Sequence, residues 1–425
     1  MVNSLVGPRR LAVAGEPEPD RRARGGSWED GGCGRLPGMA RYPDPSPTAA
    51  TLSDSVYSAL AEKARARPGR VFPLQVGDTW LEPPPFARAE AQRAEDHPRL
   101  HNYSPVQGEP TLLEAIQARL RARWGERVER DAIQVMLGAT GGLSVVVDTL
   151  LDPGDEVIVL APYWPLIRGI VASRGAVPVE VPFFDRLGSP GFDPEAAVAR
   201  AVGPRTAALY VNTPNNPTGR VLPDEVVTAL GGIARRHGLW IVSDDVYQDL
   251  CYREPPAPVW TRPGLRERTI ANHSISKSYA MAGARVGYTH GPLAVMQAIR
   301  GVQTFKTYCA PRPFQFAAAR LLAEGDAWLA GTRDRYAEAG RRAAAALGVA
   351  APEGGSFLFL DASPWFRPGE ALPGFLERCM EAGVLLTPGP AAGSAYQSWV
   401  RLCYTAVSPE DLDEALGRLR GVLGR

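Results

Sequence analysis

The chain has 425 residues, 45% hydrophobic and 22% charged, with 47 Lys and Arg against 46 Asp and Glu. That length exceeds what one hydrophobic core usually fills, and a formal charge of +1 gives no electrostatic reason to bind nucleic acid or an anionic membrane. Five scattered cysteines with no Cys-x-x-Cys pair support neither a disulfide scaffold nor a zinc cluster, and they fit a reducing compartment.

Residues Met1 to about Gly38 are rich in Gly, Pro and Arg without periodicity and read as part of a disordered tail, residues 1–45, with Met39 a second candidate start. They hold no apolar run of signal-peptide type, and nowhere does the chain reach the roughly 18 uninterrupted apolar residues of a membrane span. A soluble, cytoplasmic protein is expected. Apolar residues at helical spacing over Leu52–Ala66 open the ordered part, within a segment 46–85 expected to join the smaller domain. The apolar stretch Val71–Asp78 follows. Pro110–Gly125 has a helical period ending at glycine, and Gly142–Leu151 is a second apolar helix candidate.

Short apolar runs of strand length then recur at Glu156–Pro162, Pro178–Phe183, Thr206–Asn212 and Leu239–Asp245, with helical stretches Phe192–Val202 and Glu225–Gly238 among them. This alternation predicts an α/β domain, residues 86–315, whose mostly parallel sheet is buried by helices on both faces. From residue 316 the composition shifts to long alanine-rich helices and isolated strands Phe357–Ala362 and Trp399–Thr405. Residues 316–425 read as a smaller α+β domain. Its last helix starts at Ser408-Pro409-Glu410-Asp411, a cap, a first-turn proline and two acids.

The most informative stretch runs from Ser274 to Tyr288 and contains Ser274-x-x-Lys277 and, eight residues on, Arg285. It resembles the class I/II aminotransferases of fold type I, the aspartate aminotransferase superfamily. The resemblance implies pyridoxal 5'-phosphate as cofactor, bound to Lys277 as a Schiff base, with Ser274 and Arg285 on its phosphate. Such chemistry requires a primary amine that can lose its proton, which burial near cations promotes, and a phosphate site with a hydroxyl and a fixed guanidinium.

Further motifs carry the same resemblance over roughly Leu74 to the C terminus. Asn212-Thr213-Pro214-Asn215-Asn216-Pro217-Thr218-Gly219 places Asn216 against the cofactor's phenolic oxygen, although a Pro/Asn/Gly run is equally a plain turn. Ser243-Asp244-Asp245-Val246-Tyr247 puts Asp244 on the pyridine nitrogen and Tyr247 on the phenolic oxygen; position 245 departs from the family's glutamate, and helix capping is the alternative role for Asp244. Gly138, Ala139 and Thr140 open the helix expected over Ser144–Leu150 and lie under the phosphate. Trp164, or its neighbour Tyr163, stacks on the ring.

On the substrate side the resemblance gives Arg401 the α-carboxylate, which its planar fork matches, and Gly77 a backbone contact to the same group. Tyr103, with Gly108, matches a segment whose tyrosine reaches the neighbouring subunit's phosphate, so a homodimer with shared sites is implied. Phe305 falls near the position where dicarboxylate enzymes carry a second arginine, and Lys306 is the nearest cation. A neutral or aromatic amino acid as donor and a 2-oxo acid as acceptor are therefore expected. Phe305, Tyr308 and Cys309 either line the side-chain pocket or pack in the core. A lyase or cyclase on the same constellation is the alternative reading; an aminotransferase-like regulator is more remote, because no helix-turn-helix precedes the fold.

Overall fold

The computed structural model describes Thr48, Leu52 and residues 60–424; the expected tail, and most of the Leu52–Ala66 helix, lie outside the described residues. Seven strands form one sheet: β1 (Ile133–Leu137), β2 (Glu156–Ala161), β3 (Val177–Pro182), β4 (Thr206–Asn212), β5 (Trp240–Asp244), β6 (Thr269–Ser274) and β7 (Val286–His290). Their order is β1-β7-β6-β5-β4-β2-β3. Only β7 runs against its neighbours β1 and β6; the other pairs are parallel. β2, β4 and β5 are buried over nearly their whole length, which is why they read as continuous apolar runs. Three strands, β1, β6 and β7, have no such signature in the sequence.

The helices end where their sequences dictate. Pro110–Trp124 and Asp224–His237 stop at Gly125 and Gly238, both in the left-handed region at φ 71° and 68°, which glycine adopts without a Cβ penalty. The helix Pro194–Ala199 is capped by Asp193, which accepts from Ala196 N–H. Pro409–Leu423 begins as its sequence implies, with Ser408 accepting from Asp411 N–H.

The later part of the chain forms a second sheet, antiparallel, in the order β8 (Phe357–Asp361), β10 (Trp399–Cys403), β9 (Thr387–Pro388). Helices Asp326–Leu347, Leu372–Glu381 and Pro409–Leu423 pack with it around Leu358, Leu376, Leu402 and Leu416. The stretch Val71–Asp78 belongs to this layer: Phe72 bridges to Val384, and Cys403 N–H donates to Leu74 O at 2.8 Å. The described residues from 60 to 424 belong to one compact unit containing both sheets.

Candidate active site

The sheet topology gathers the chemistry at one rim. β1, β2, β4, β5 and β6 all end there, and reversed β7 begins there. Their terminal residues are therefore neighbours: Asn212 sits opposite Asp244, Asp244 opposite Asn272, and Ser274 opposite Gly287. The carboxyl edge of a parallel sheet is where α/β folds place ligands. A cavity of about 230 Å³ opens at this rim, and Lys277, Asp244, Asn216, Tyr247, Trp164, Ser274, Arg285, Ala139, Thr140, Gly77 and Arg401 all line it.

Lys277 stands in the short helix Ile275–Ser278, whose cap is Ser274: its Oγ accepts from Ser276 N–H at 3.0 Å. The ammonium donates to the carbonyl of Gly77. Burial pushes the amine's pKa below its ordinary value; Asp78 and Cys403 oppose that, and Arg401 and Arg285 reinforce it. An amine so placed gives up its proton more readily than a solvated lysine.

Asp244 closes β5 beneath the cavity, 4% exposed. Its Oδ2 accepts from Tyr210 OH at 2.6 Å, whereas Oδ1 is buried without a hydrogen bond. Burial raises its carboxyl to about 6, against the hydrogen bond from Tyr210. A buried carboxylate oxygen with no donor suits a protonated ring nitrogen, since an unpaired buried charge is costly. Asn216 is fixed from below, its N–H donating to Asn212 Oδ1 at 2.8 Å while Asn212 Nδ2 donates to Asp244 O at 2.9 Å. The Asn216 amide in turn reaches Tyr247 OH at 3.5 Å.

At the other end, Arg285 takes a left-handed backbone, φ 53°, and donates to Ala282 O at 2.8 Å. Non-glycine residues in that region are strained and persist where function holds them. The helix expected from Ser144 starts at Gly138, so Ala139 and Thr140 lie in its first turn, where backbone N–H groups lack helical partners and suit a phosphate. Gly138 itself does not line the cavity; at φ 66° it lies under Arg285, and a Cβ there would meet Nη2 at 2.5 Å. Gly138→Ala should displace the guanidinium and strain the turn, weakening cofactor affinity about tenfold or more; equilibrium titration of the cofactor-free protein measures this.

Arg401 occupies the middle of β10, with register fixed by Phe359 on one side and Thr387 on the other. It donates to Asn216 Oδ1 at 3.2 Å, Gln75 O at 2.9 Å and Thr387 Oγ1 at 3.2 Å, with its guanidinium 4.5 Å over the Phe357 ring. Gly77 is held close because a Cβ would meet Phe357 Cζ at 2.9 Å. One cavity residue with no motif in the sequence, Phe357, thus orients two that had one. Val76, Leu143, Leu166 and Val246 supply apolar wall.

Two expected residues stand apart. Tyr103 is 82% exposed, edge-on to Tyr308 with ring centroids 5.2 Å apart, and contributes nothing to its own chain's cavity. Phe305 is 92% exposed. In the helix Leu293–Lys306 the buried positions are Met296, Ile299 and Gln303, and Phe305 lies about 200° round from Gln303. This excludes core packing for Phe305 and a place in its own chain's pocket. Lys306 pairs with Asp148 at 3.2 Å instead of facing the cavity.

Residues 70–419 match the family described as aminotransferase class I and II. The aspartate/prephenate aminotransferase of Thermus thermophilus is 36% identical over 400 residues, 91% of this chain and 99% of that protein. The arginine–pyruvate transaminase of Pseudomonas aeruginosa is 32% identical, covering 86% and 93%. Among solved structures, the Thermus thermophilus aspartate aminotransferase with maleate superposes with a TM-score of 0.81 at 33% identity, covering 89% of this chain and all of that one.

Proposed function

Because the chain belongs to the aminotransferase class I and II family, and is thereby a pyridoxal 5'-phosphate enzyme of fold type I, we propose that it moves the α-amino group of a small neutral or aromatic L-amino acid to a 2-oxo acid, with Lys277 as its catalytic base. The observation that carries the reading is the convergence on one cavity of a buried amine, a buried carboxylate oxygen without a donor and a clamped guanidinium, Lys277, Asp244 and Arg401.

When bound, the cofactor supplies an aldehyde to take up the amino group and an electron-withdrawing ring. In this reading the Ser274 hydroxyl, the Arg285 guanidinium and the N–H groups of Ala139 and Thr140 hold its phosphate. Asp244 keeps the ring nitrogen protonated, Asn216 and Tyr247 donate to the phenolic oxygen, and Trp164 covers the ring face. Arg401 grips the substrate carboxylate bidentately, with the Gly77 backbone beside it, and so aims the α-hydrogen. Lys277 Nζ, whose hold on a proton burial weakens, takes that proton and later returns it, general base and then general acid. Fixed charges at Asp244 and Arg401 favour the reacting state without having to reorganise.

A neutral or aromatic donor is supported by the charge inventory of the wall. Its cations are Lys277, Arg285 and Arg401, each with a role already, and Lys306 is occupied by Asp148. What remains is chiefly apolar, so a second substrate carboxylate would be buried unpaired. We also read the protein as a cytoplasmic homodimer in which exposed Tyr103 serves the partner's phosphate.

The test is to add single amino acids to the cofactor-loaded protein and follow its visible absorption together with 2-oxo acid release. A neutral or aromatic donor should bleach the band with stoichiometric oxo acid, and more efficiently than aspartate by at least about tenfold in kcat/KM, the scale of one unpaired polar group. Preference for aspartate overturns the donor class; ammonia release without bleaching overturns transamination in favour of a lyase.

A further inference from the structure

The segment joining β9 to β10, Gly389–Ser398, leaves the small sheet and lies against the far edge of the large one. There the carboxylate of Glu180 makes most of the polar contacts that hold it. Glu180, in edge strand β3, accepts from Ser394 N–H and Ser394 Oγ, both at 2.9 Å on Oε2, while its Oε1 accepts from the hydroxyl of Tyr163. Arg168 Nε stands 3.8 Å from the same oxygen. Two further bonds reinforce the contact: Tyr163 N–H donates to Ala392 O at 3.0 Å, and Tyr396 OH donates to Asp185 Oδ1 at 2.7 Å. Tyr163 and Tyr396 are 2% and 1% exposed, so both ends of the clasp are seated in packed surroundings.

Its position gives the clasp a consequence for the cavity. Tyr163 immediately precedes Trp164, which forms the wall on the large-sheet side. The clasped segment follows Thr387-Pro388 and leads into the strand of Arg401; Thr387 and Arg401 are bonded to each other at 3.2 Å, and Arg401 forms the wall on the small-sheet side. One carboxylate therefore ties together the backbone behind Trp164 and the backbone between Thr387 and Arg401. Although burial pushes Glu180 up, the bonds from Ser394 and Tyr163 and the charge of Arg168 outweigh it and keep it below the usual carboxylate range; it is a charged acceptor at neutral pH, and charge-assisted bonds are the stronger kind.

We propose that Glu180 is a positioning residue that sets the separation of the Trp164 and Arg401 walls, and thereby the affinity for the substrate's carboxylate. This rests on the reading of Arg401 given under Proposed function. Without the carboxylate, Gly389–Ser398 is held to the large sheet by fewer bonds, and Arg401 loses this tie while keeping its bonds to Asn216, Gln75 and Thr387. Binding suffers first, because a positioning group displaced by about 1 Å forfeits ten- to a hundredfold, while Lys277, on the far side of the rim, keeps its place.

Two measurements test it. Hydrogen exchange of residues 389–398 in the cofactor-free protein should quicken in Glu180→Ala, whatever reaction the enzyme performs. In the loaded enzyme the same variant should raise KM for the amino donor about tenfold or more, with kcat within about threefold. Glu180→Gln should recover most of the loss, since its amide still offers an oxygen to Ser394 and an N–H to the Tyr163 hydroxyl. Should Glu180→Ala fail to fold, Tyr163→Phe keeps the buried ring and removes only the hydroxyl, and it should shift both readouts the same way by less. Unchanged exchange overturns the clasp; faster exchange with KM unmoved, or a fall in kcat alone, overturns its role in positioning. A wild-type enzyme inert toward every donor would instead overturn the function proposed above, with the exchange rates still deciding the clasp.

Discussion

Lys277→Ala should lower the rate of the amino-acid half-reaction by at least about a thousandfold, because it deletes both the nucleophile and the group that carries the proton, and positioned acid–base catalysis alone contributes about a hundred- to ten-thousandfold. The fold should survive. Lys277 caps no helix, and the bonds that organise its segment, Ser276 N–H to Ser274 Oγ and Arg285 to Ala282 O, do not involve its side chain. Cofactor should still be retained through the proposed phosphate site, but without a covalent link: borohydride reduction followed by denaturation should leave it on the wild-type chain and release it from the variant. Single-turnover absorbance measures the rate. A variant within tenfold of wild type would remove Lys277 from the centre of the mechanism.

Asp244→Asn should separate stability from function. Burial lifts this carboxyl from the ordinary 3.8 to about 6, so the folded chain holds the proton more tightly than the unfolded chain. Where the folded state binds more protons, stability falls as pH rises; for the cofactor-free protein the fall runs from about pH 4 through 6 and is complete above that. A displacement of about two pH units corresponds to roughly 3 kcal/mol at neutral pH, as an order of magnitude. Asparagine carries no such penalty and keeps an oxygen for Tyr210, so the variant without cofactor should be the more stable protein at pH 7 and no more stable at pH 4. Asp245, which burial and the charge of Asp244 raise to about 7, leaves a residual slope in both proteins. Loaded with cofactor, the order should reverse, and the half-reaction should slow by about a hundredfold or more, since no charge remains to hold the ring nitrogen protonated. Chemical denaturation of both proteins at pH 4 and 7, with and without cofactor, reads all four values; equal stabilities at pH 7 without cofactor would sink the argument.

The parts of the fold legible in the sequence are those where burial and apolarity coincide. β2, β4 and β5 could be read because both their faces meet apolar helices. β6 and β7 could not, since they bury Thr269, Asn272, His273, Thr289 and His290 and satisfy them internally: Thr289 Oγ1 to Asn272 Oδ1 at 3.0 Å, Asn272 Nδ2 to Ala139 O at 3.2 Å, and His273 to His290 at 3.2 Å. A strand whose polar groups find their partners elsewhere in the fold looks like a loop in one dimension. The same holds for Gln134 in β1, 0% exposed and donating to Val106 O at 2.6 Å. For the site, residues within a contiguous motif were legible, and the cavity gathers them. Phe357 orients Arg401 and Gly77 from an element distant in sequence, and nothing local marks it. Proximity along the chain says nothing of helix face, and Phe305 stands exposed on its own chain.

The two outer strands of the large sheet have one further consequence. β3 carries Pro178 and Pro182, which offer no N–H, and the charged Glu180 between them; on the opposite flank, β1 is already partnered, Val135 N–H donating to Gln107 O at 2.9 Å and Gln107 Nε2 reaching Ile133 O at 3.0 Å. Prolines, a mid-strand charge and a covering loop are how open sheets avoid templating further strands. Copies of this chain are thus guarded, at both flanks of the large sheet, against fibrous edge-to-edge pairing.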